Sequence, residues 1–167
     1  MSQRLEVPAG AYTIDDSQTA TFLAPASLRS SVGGPSGLFF DVKHAFAIVG
    51  SRGAAVRQSL RAKTSMYQYR ILDYDQRELL VYHWQPGQRF AGPDHPHMHV
   101  SASINARIDA VTRRGIALDK RHLVTGRVSL PAMVRMLITE FEIAPLRRDW
   151  RAILDRTETA VAELEAR

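Results

Sequence analysis

Met66-Tyr67-Gln68-Tyr69-Arg70-Ile71-Leu72 and Leu79-Leu80-Val81-Tyr82-His83-Trp84 flank the polar stretch Asp73-Tyr74-Asp75-Gln76-Arg77-Glu78. The flanking segments are rich in aromatic and branched side chains, which suit a pleated, half-buried surface. The stretch between them is made of turn formers, so the three together read as a β-hairpin. Asp73, Asp75 and Glu78 are read as turn residues in water rather than as catalytic carboxylates. Upstream, Val56, Leu60 and Ala62 alternate with Arg57, Arg61 and Lys63, the period of a strand. Phe39, Phe40 and the run Phe46–Val49 read as buried strand. The first forty residues, punctuated by Pro8, Gly10, Pro25, Gly33, Gly34, Pro35 and Gly37, read as irregular and strand-prone, with a loop over 30–37.

Downstream of the hairpin, Pro86-Gly87 opens a loop that runs to Pro93, and a strand follows through about Ile104. Residues 105–127 allow two readings, short strands or one helix broken at Gly115. Two helices close the chain. Ser129 is a good N-cap and Pro131 is tolerated in the first turn. Leu130, Met133, Val134, Leu137, Ile138 and Phe141 then recur at three and four residues, an apolar stripe. Beyond Pro145, Leu146, Trp150, Ile153, Leu154, Val161 and Leu164 form a second stripe. The end of that helix, with Glu158, Glu163 and Glu165, is also a candidate surface for a homodimer. The expected architecture is a single α+β domain over residues 1–167, a mainly antiparallel β-sheet with two C-terminal helices packed on it. Within it, residues 1–40 are the irregular or strand N-terminal segment, 45–104 the sheet core and 129–165 the helical pair.

A length of 167 residues with 45% apolar side chains suits one domain with a proper core. The longest apolar run, Ala45–Val49, is far too short for a membrane span, and the N-terminus lacks the apolar stretch of a signal peptide. With no cysteine, disulfides, thiolate metal sites and cysteine nucleophiles are excluded. The default expectation is a cytoplasmic protein with no membrane partner. Gly50-Ser51-Arg52-Gly53 reads as a turn without the Lys-Ser/Thr ending of a P-loop. No Gly-x-Gly-x-x-Gly follows a strand either, so nucleotide folds built on those loops are disfavoured. Of the 22 basic side chains, 11 fall in residues 61–127, against six acidic ones there, so the net charge of +5 sits essentially on this segment. Arginine dominates it, a fork suited to phosphate and carboxylate.

The same segment holds five of the six histidines, three of them in Asp94-His95-Pro96-His97-Met98-His99. Histidine titrates near neutral pH and is the commonest metal ligand. In a strand, His97 and His99 share a face, roughly 6–7 Å apart along it. They can close on one metal ion or act as general acid and base around a phosphodiester. His83 on the neighbouring strand, His122 and Asp94 are candidates for a third ligand, and zinc is one divalent metal that fits such a set. For acid–base work, Arg89, Arg107 and Arg127 are available to hold developing negative charge, with Arg127 the candidate for a phosphate.

Three resemblances bear on these residues. His95-Pro96-His97-Met98-His99-Val100 resembles the alternating motif of histidine-triad nucleotide hydrolases, which implies His97 as nucleophile. Pro86-Gly87 leading to His97 and His99 is similar to the approach to the His-x-His pair of cupins, although the glutamate that follows in cupins is absent. The aromatic hairpin followed by Pro96-His97-Met98-His99, about residues 64–100, resembles the TumE-type toxin family of bacterial toxin–antitoxin modules. That family's paired histidines ahead of its final cluster are missing. The stretch from His122 to Trp150 looks like small bacterial proteins with no assigned role. The toxin resemblance implies a small bacterial protein acting on RNA as a ribonuclease, with a cognate antitoxin as partner. His97 and His99 would be acid and base or metal ligands, supported by His83 and His122, with Arg127 on phosphate. The alternative is a non-catalytic metal-binding or protein-interaction module.

Overall fold

The aromatic hairpin is the centre of the sheet. The computed structural model describes residues 5–6, 13–50, 60–87, 92–101, 106–109, 114–116 and 121–165. In chain order the strands are β1 (Leu5–Glu6), β2 (Ser17–Phe22), β3 (Ala26–Arg29), β4 (Pro35–Gly50), β5 (Leu60–Leu72), β6 (Glu78–Trp84), β7 (His97–Val100), β8 (Ala106–Asp109), β9 (Arg114–Ile116) and β10 (Leu123–Val124). The helices are α1 (Leu130–Thr139) and α2 (Trp150–Glu165). One antiparallel sheet runs β1-β2-β4-β5-β6-β7-β10, with β3 also paired to β4, while β8 and β9 form a separate ribbon. The expected α+β architecture, an antiparallel sheet with the C-terminal helices on it, is present.

Register divides the sheet into two chemically distinct faces. Val42, Tyr69, Tyr82 and Met98 lie side by side across β4 to β7, as do Phe40, Ile71, Leu80 and Val100. Because successive side chains alternate, these rows and the row His44, Tyr67, Trp84 share one face. The rows Asp41, Arg70, Val81, His99 and Lys43, Gln68, His83, His97 share the other. The first face is the core: Phe40, Val42, Tyr67, Tyr69, Ile71 and Trp84 form one buried cluster with Met133 and Leu137 of α1 and with Ile143. Tyr67 and Tyr69 stack at 4.9 Å between ring centroids, and Trp84 tilts against Tyr67 at 6.0 Å.

The helices sit where their stripes direct them. Ser129 caps α1, its Oγ accepting from the Ala132 N–H at 3.2 Å, with Pro131 in the first turn. α2 is tied to α1 by Arg135, which donates to Glu158 and Asp155 at 2.7–3.1 Å. Glu158, assigned from the sequence to a possible subunit contact, is thus used within the chain.

Several expectations are corrected. Leu146 does not belong to the second helix but lies in the link before it, 86% exposed, because α2 starts only at Trp150. The loop over 30–37 shrinks to a tight turn in which Ser30 N–H donates to the Gly34 carbonyl; Gly33 and Gly34 take φ of 102° and 75°, and β4 begins at Pro35. The sheet therefore starts well before residue 45, taking in β2 and β3 from the first forty residues. Among the described residues of 105–127 there are short strands and no helix. The turn at 51–53 and Val56 lie outside the described residues. Among the described residues no helix is long and apolar enough to cross a membrane.

Met133 has no exposure at all. Met133→Ala should lower stability by about 2–5 kcal/mol, the range for emptying a buried aliphatic site. Urea unfolding should show a reduced midpoint with unchanged slope; a midpoint equal to that of the unmutated chain would show that α1 does not close the aromatic face.

Candidate metal centre

His83, His97, His99 and His122 meet on the face opposite the helices. β6 pairs with β7 in a register that sets His83 directly across from His97, where cross-strand Cβ atoms lie about 4.5–5.5 Å apart. His99 is two residues along β7, on the same face. β10 pairs Leu123 with Met98 and Val124 with His97, which brings His122 beside both β7 histidines. Ring centroids are 5.2 Å apart for His83 and His97, 4.9 Å for His97 and His99, and 4.6 Å for His99 and His122. His122 lies nearly parallel to His97, 7° between planes at 4.9 Å, so it stacks on that ring. His95, still in the loop before β7, approaches His97 edge-on at 6.0 Å.

One ligand nitrogen from each of His83, His97 and His99 can be chosen so that all three lie within 4.8 Å of one another. Two nitrogens on one tetrahedral zinc stand roughly 3.3 Å apart, from bond lengths of about 2.0–2.1 Å. Small rotations of three imidazoles close that difference. The hydrogen bonds prepare two of the rings. His97 Nδ1 donates to the His95 carbonyl at 2.9 Å, so its Nε2 keeps a free lone pair. His83 Nε2 donates to Gln85 Oε1 at 3.1 Å, which leaves Nδ1 as its lone-pair nitrogen. Fixing the tautomer through the second ring nitrogen is how metal-binding histidines are oriented.

Electrostatics favour neutral, ligating imidazoles. His97 is 2% exposed. Burial lowers its pKa below 6.5, the hydrogen bond to the His95 carbonyl opposes this, and the neighbouring imidazoles of His83, His122 and His95 lower it further. Burial also lowers the pKa of His99, aided by His97, His122 and His83 and opposed by Glu78. Beside the cluster, Arg70 is held by Asp41 through Nε at 2.9 Å and Nη2 at 2.6 Å, and by Glu78 at 3.4 Å.

His83, His97 and His99 are thus brought together as the sequence suggested, with His122 stacked against them. Arg127 is not: its guanidinium lies 4.1 Å over the ring of Trp84, on the aromatic face. Asp94 is engaged in its own loop, its carboxylate accepting from Gly87 N–H at 3.3 Å and its carbonyl from Trp84 Nε1 at 3.1 Å. Arg89 and the side chain of Arg107 lie outside the described residues. Asp73 is the turn residue it was read as, accepting from Arg77 N–H and Nε at 2.9 and 2.8 Å. Glu78, read from the sequence as a turn residue, is instead the first residue of β6. A register shift between Ile71 and Leu72 pairs Leu72 with Glu78, and Glu78 borders a groove of about 420 Å³ together with Gln68, His83 and His99.

Compared with protein-family models, curated proteins and solved structures, the chain matches none.

Since the folded pKa values of His97 and His99 lie below 6.5, the unfolded chain takes up protons first on acidification. Their contribution to stability is complete above about pH 6.5 and is lost as pH falls through the folded values. The melting temperature of chelator-treated protein should fall from pH 7 to pH 5. His97→Gln/His99→Gln should flatten that slope, leaving the part due to His44, whose pKa is also lowered by burial. An unchanged slope in the double variant would show that these rings are not held neutral by the fold.

Proposed function

We propose that this chain is a divalent-metal-binding protein whose centre is formed by His83, His97 and His99, with zinc as the metal of best fit. The observation that carries the reading is the convergence of three imidazole nitrogens within 4.8 Å on one sheet face. Three neutral nitrogen ligands suit zinc, and three protein ligands leave a fourth position free, the arrangement of catalytic rather than structural zinc. An ion held there supplies Lewis acidity and lowers the pKa of bound water toward about 7. The chain's own contribution is to orient the rings through the His95 carbonyl and Gln85. It also keeps Arg70, on the same face, neutralised by Asp41 and Glu78.

A second reading, a hydrolytic ribonuclease of the toxin–antitoxin kind with a cognate antitoxin, draws support from the groove of about 420 Å³ along His83 and His99. It leaves room for substrate beside the centre, and Glu78 on its wall is the carboxylate available as general base. Arg127 takes no part in this reading, since it serves the opposite face.

Elemental mass spectrometry on untagged protein, before and after incubation with zinc, cobalt, manganese or nickel, should find about one divalent ion per chain. His97→Gln/His99→Gln should lose it while keeping the far-ultraviolet circular dichroism of the parent. No metal under any of these conditions would overturn the proposal. Cleavage of RNA by the metal-loaded protein and not by the double variant is the outcome expected of the second reading; metal without cleavage would remove that reading and keep the first.

A further inference from the structure

On the other side of the sheet, between its aromatic face and α2, lies a cavity of about 650 Å³. That volume falls within the range of small-molecule sites. Its walls are mostly apolar, with Phe46 from β4, Trp84 from β6 and Val161 from α2 among them. Three cations also line it, Arg61 and Lys63 from β5 and Arg127 from the segment before α1. No carboxylate is found among its lining residues, as far as the described residues go. The N-terminal turn of α1 borders it as well, adding the positive end of a helix dipole.

Two details single out an anion as the missing partner. Arg61 is half-buried, and its Nε is shielded from water with no hydrogen-bond partner among the described residues; a shielded donor left unpaired is costly. The Arg127 Cζ stands 4.1 Å from the centre of the Trp84 ring, and a guanidinium anchored on an aromatic ring still has N–H groups to offer a carboxylate or phosphate.

We propose that this cavity is a binding site for an amphipathic anion, an alkyl or aryl body against Phe46, Trp84 and Val161 with its carboxylate or phosphate head on Arg61 and Arg127. The site is separate from the histidine centre, because β6 sends His83 to one face and Trp84 to the other, and it stands whether or not the histidines hold a metal.

Trp84 supplies the readout. The chain has two tryptophans, so Trp150→Phe leaves Trp84 as the sole indole emitter. Decanoate, decyl phosphate, decanol and decyltrimethylammonium are titrated into that protein below their micelle concentrations, following emission. The expected result is a saturable change with decanoate or decyl phosphate, at least tenfold tighter than with decanol and absent with the ammonium. The tighter of the two anions identifies the head group. Arg61→Met and Arg127→Met, tested separately in the same background and checked by circular dichroism and thermal melting, should each weaken anion binding about tenfold while leaving decanol unchanged. Absence of a saturable response to either anion would overturn the proposal. So would decanol or the ammonium binding as tightly as the anions, or an anion affinity indifferent to both arginine variants.

Discussion

The burial of Met133 and Leu137 of α1 against Tyr67, Tyr69 and Trp84 is the interaction on which the remaining structure depends. It commits one face of the sheet to the core and thereby assigns every alternate residue of β4 to β7 to the other face. It also sets the path of the chain between the edge strand and the helix. Tyr67 OH accepts from the Val128 N–H at 3.0 Å, so the segment leading to Ser129 is pinned over the aromatic rings. His122, before β10, stays on the polar side against His97 and His99, while Arg127, five residues on, reaches Trp84.

The polar face is organised around charge balance. Asp41 is 8% exposed and grips Arg70 with two hydrogen bonds, and Glu78 reaches the same guanidinium. A pair this close to the interior contributes little net stability, because desolvation offsets the attraction. Its effect on the neighbouring histidines is larger. Arg70 sits in the row Asp41, Arg70, Val81, His99, and unpaired it would repel any cation gathered by His99. With two carboxylates on it, that positive charge is offset, a setting that tolerates a dication.

The sequence made some of this legible through its short periods. Period two in Met66–Leu72 and Leu79–Trp84, and the three-and-four spacing from Leu130 to Phe141, identified the hairpin and α1. Period two also placed His97 and His99 on one face. Contacts that depend on register were less readable. That His83 faces His97 follows from the β6–β7 pairing, which the sequence of the intervening loop does not specify. β10 has two residues, too few for a local signal, and its pairing decides where His122 goes. Arg127 was misjudged for the same reason, since the turn between β10 and α1 is governed by a distant tyrosine. Glu78 was read as part of the turn, because the register shift after Ile71 that pairs it with Leu72 leaves no local signal. Strands in the first forty residues gain their order from pairing with β4, a long-range effect absent from their own Pro- and Gly-punctuated sequence.

The adjacency of His83 and Trp84 has a consequence for how this protein can change over generations. One residue faces the imidazole cluster and the next lines the aromatic side, and a strand's two faces exchange whenever its length or register shifts by one. A single-codon insertion or deletion inside β6 would carry an indole into the histidines and an imidazole into the core, damaging both surfaces at once. Substitution can tune either face alone, but the length of the strand is held by both together. Descendants of this chain should therefore vary in the identity of residues along β6 while gaps fall in the loops on either side.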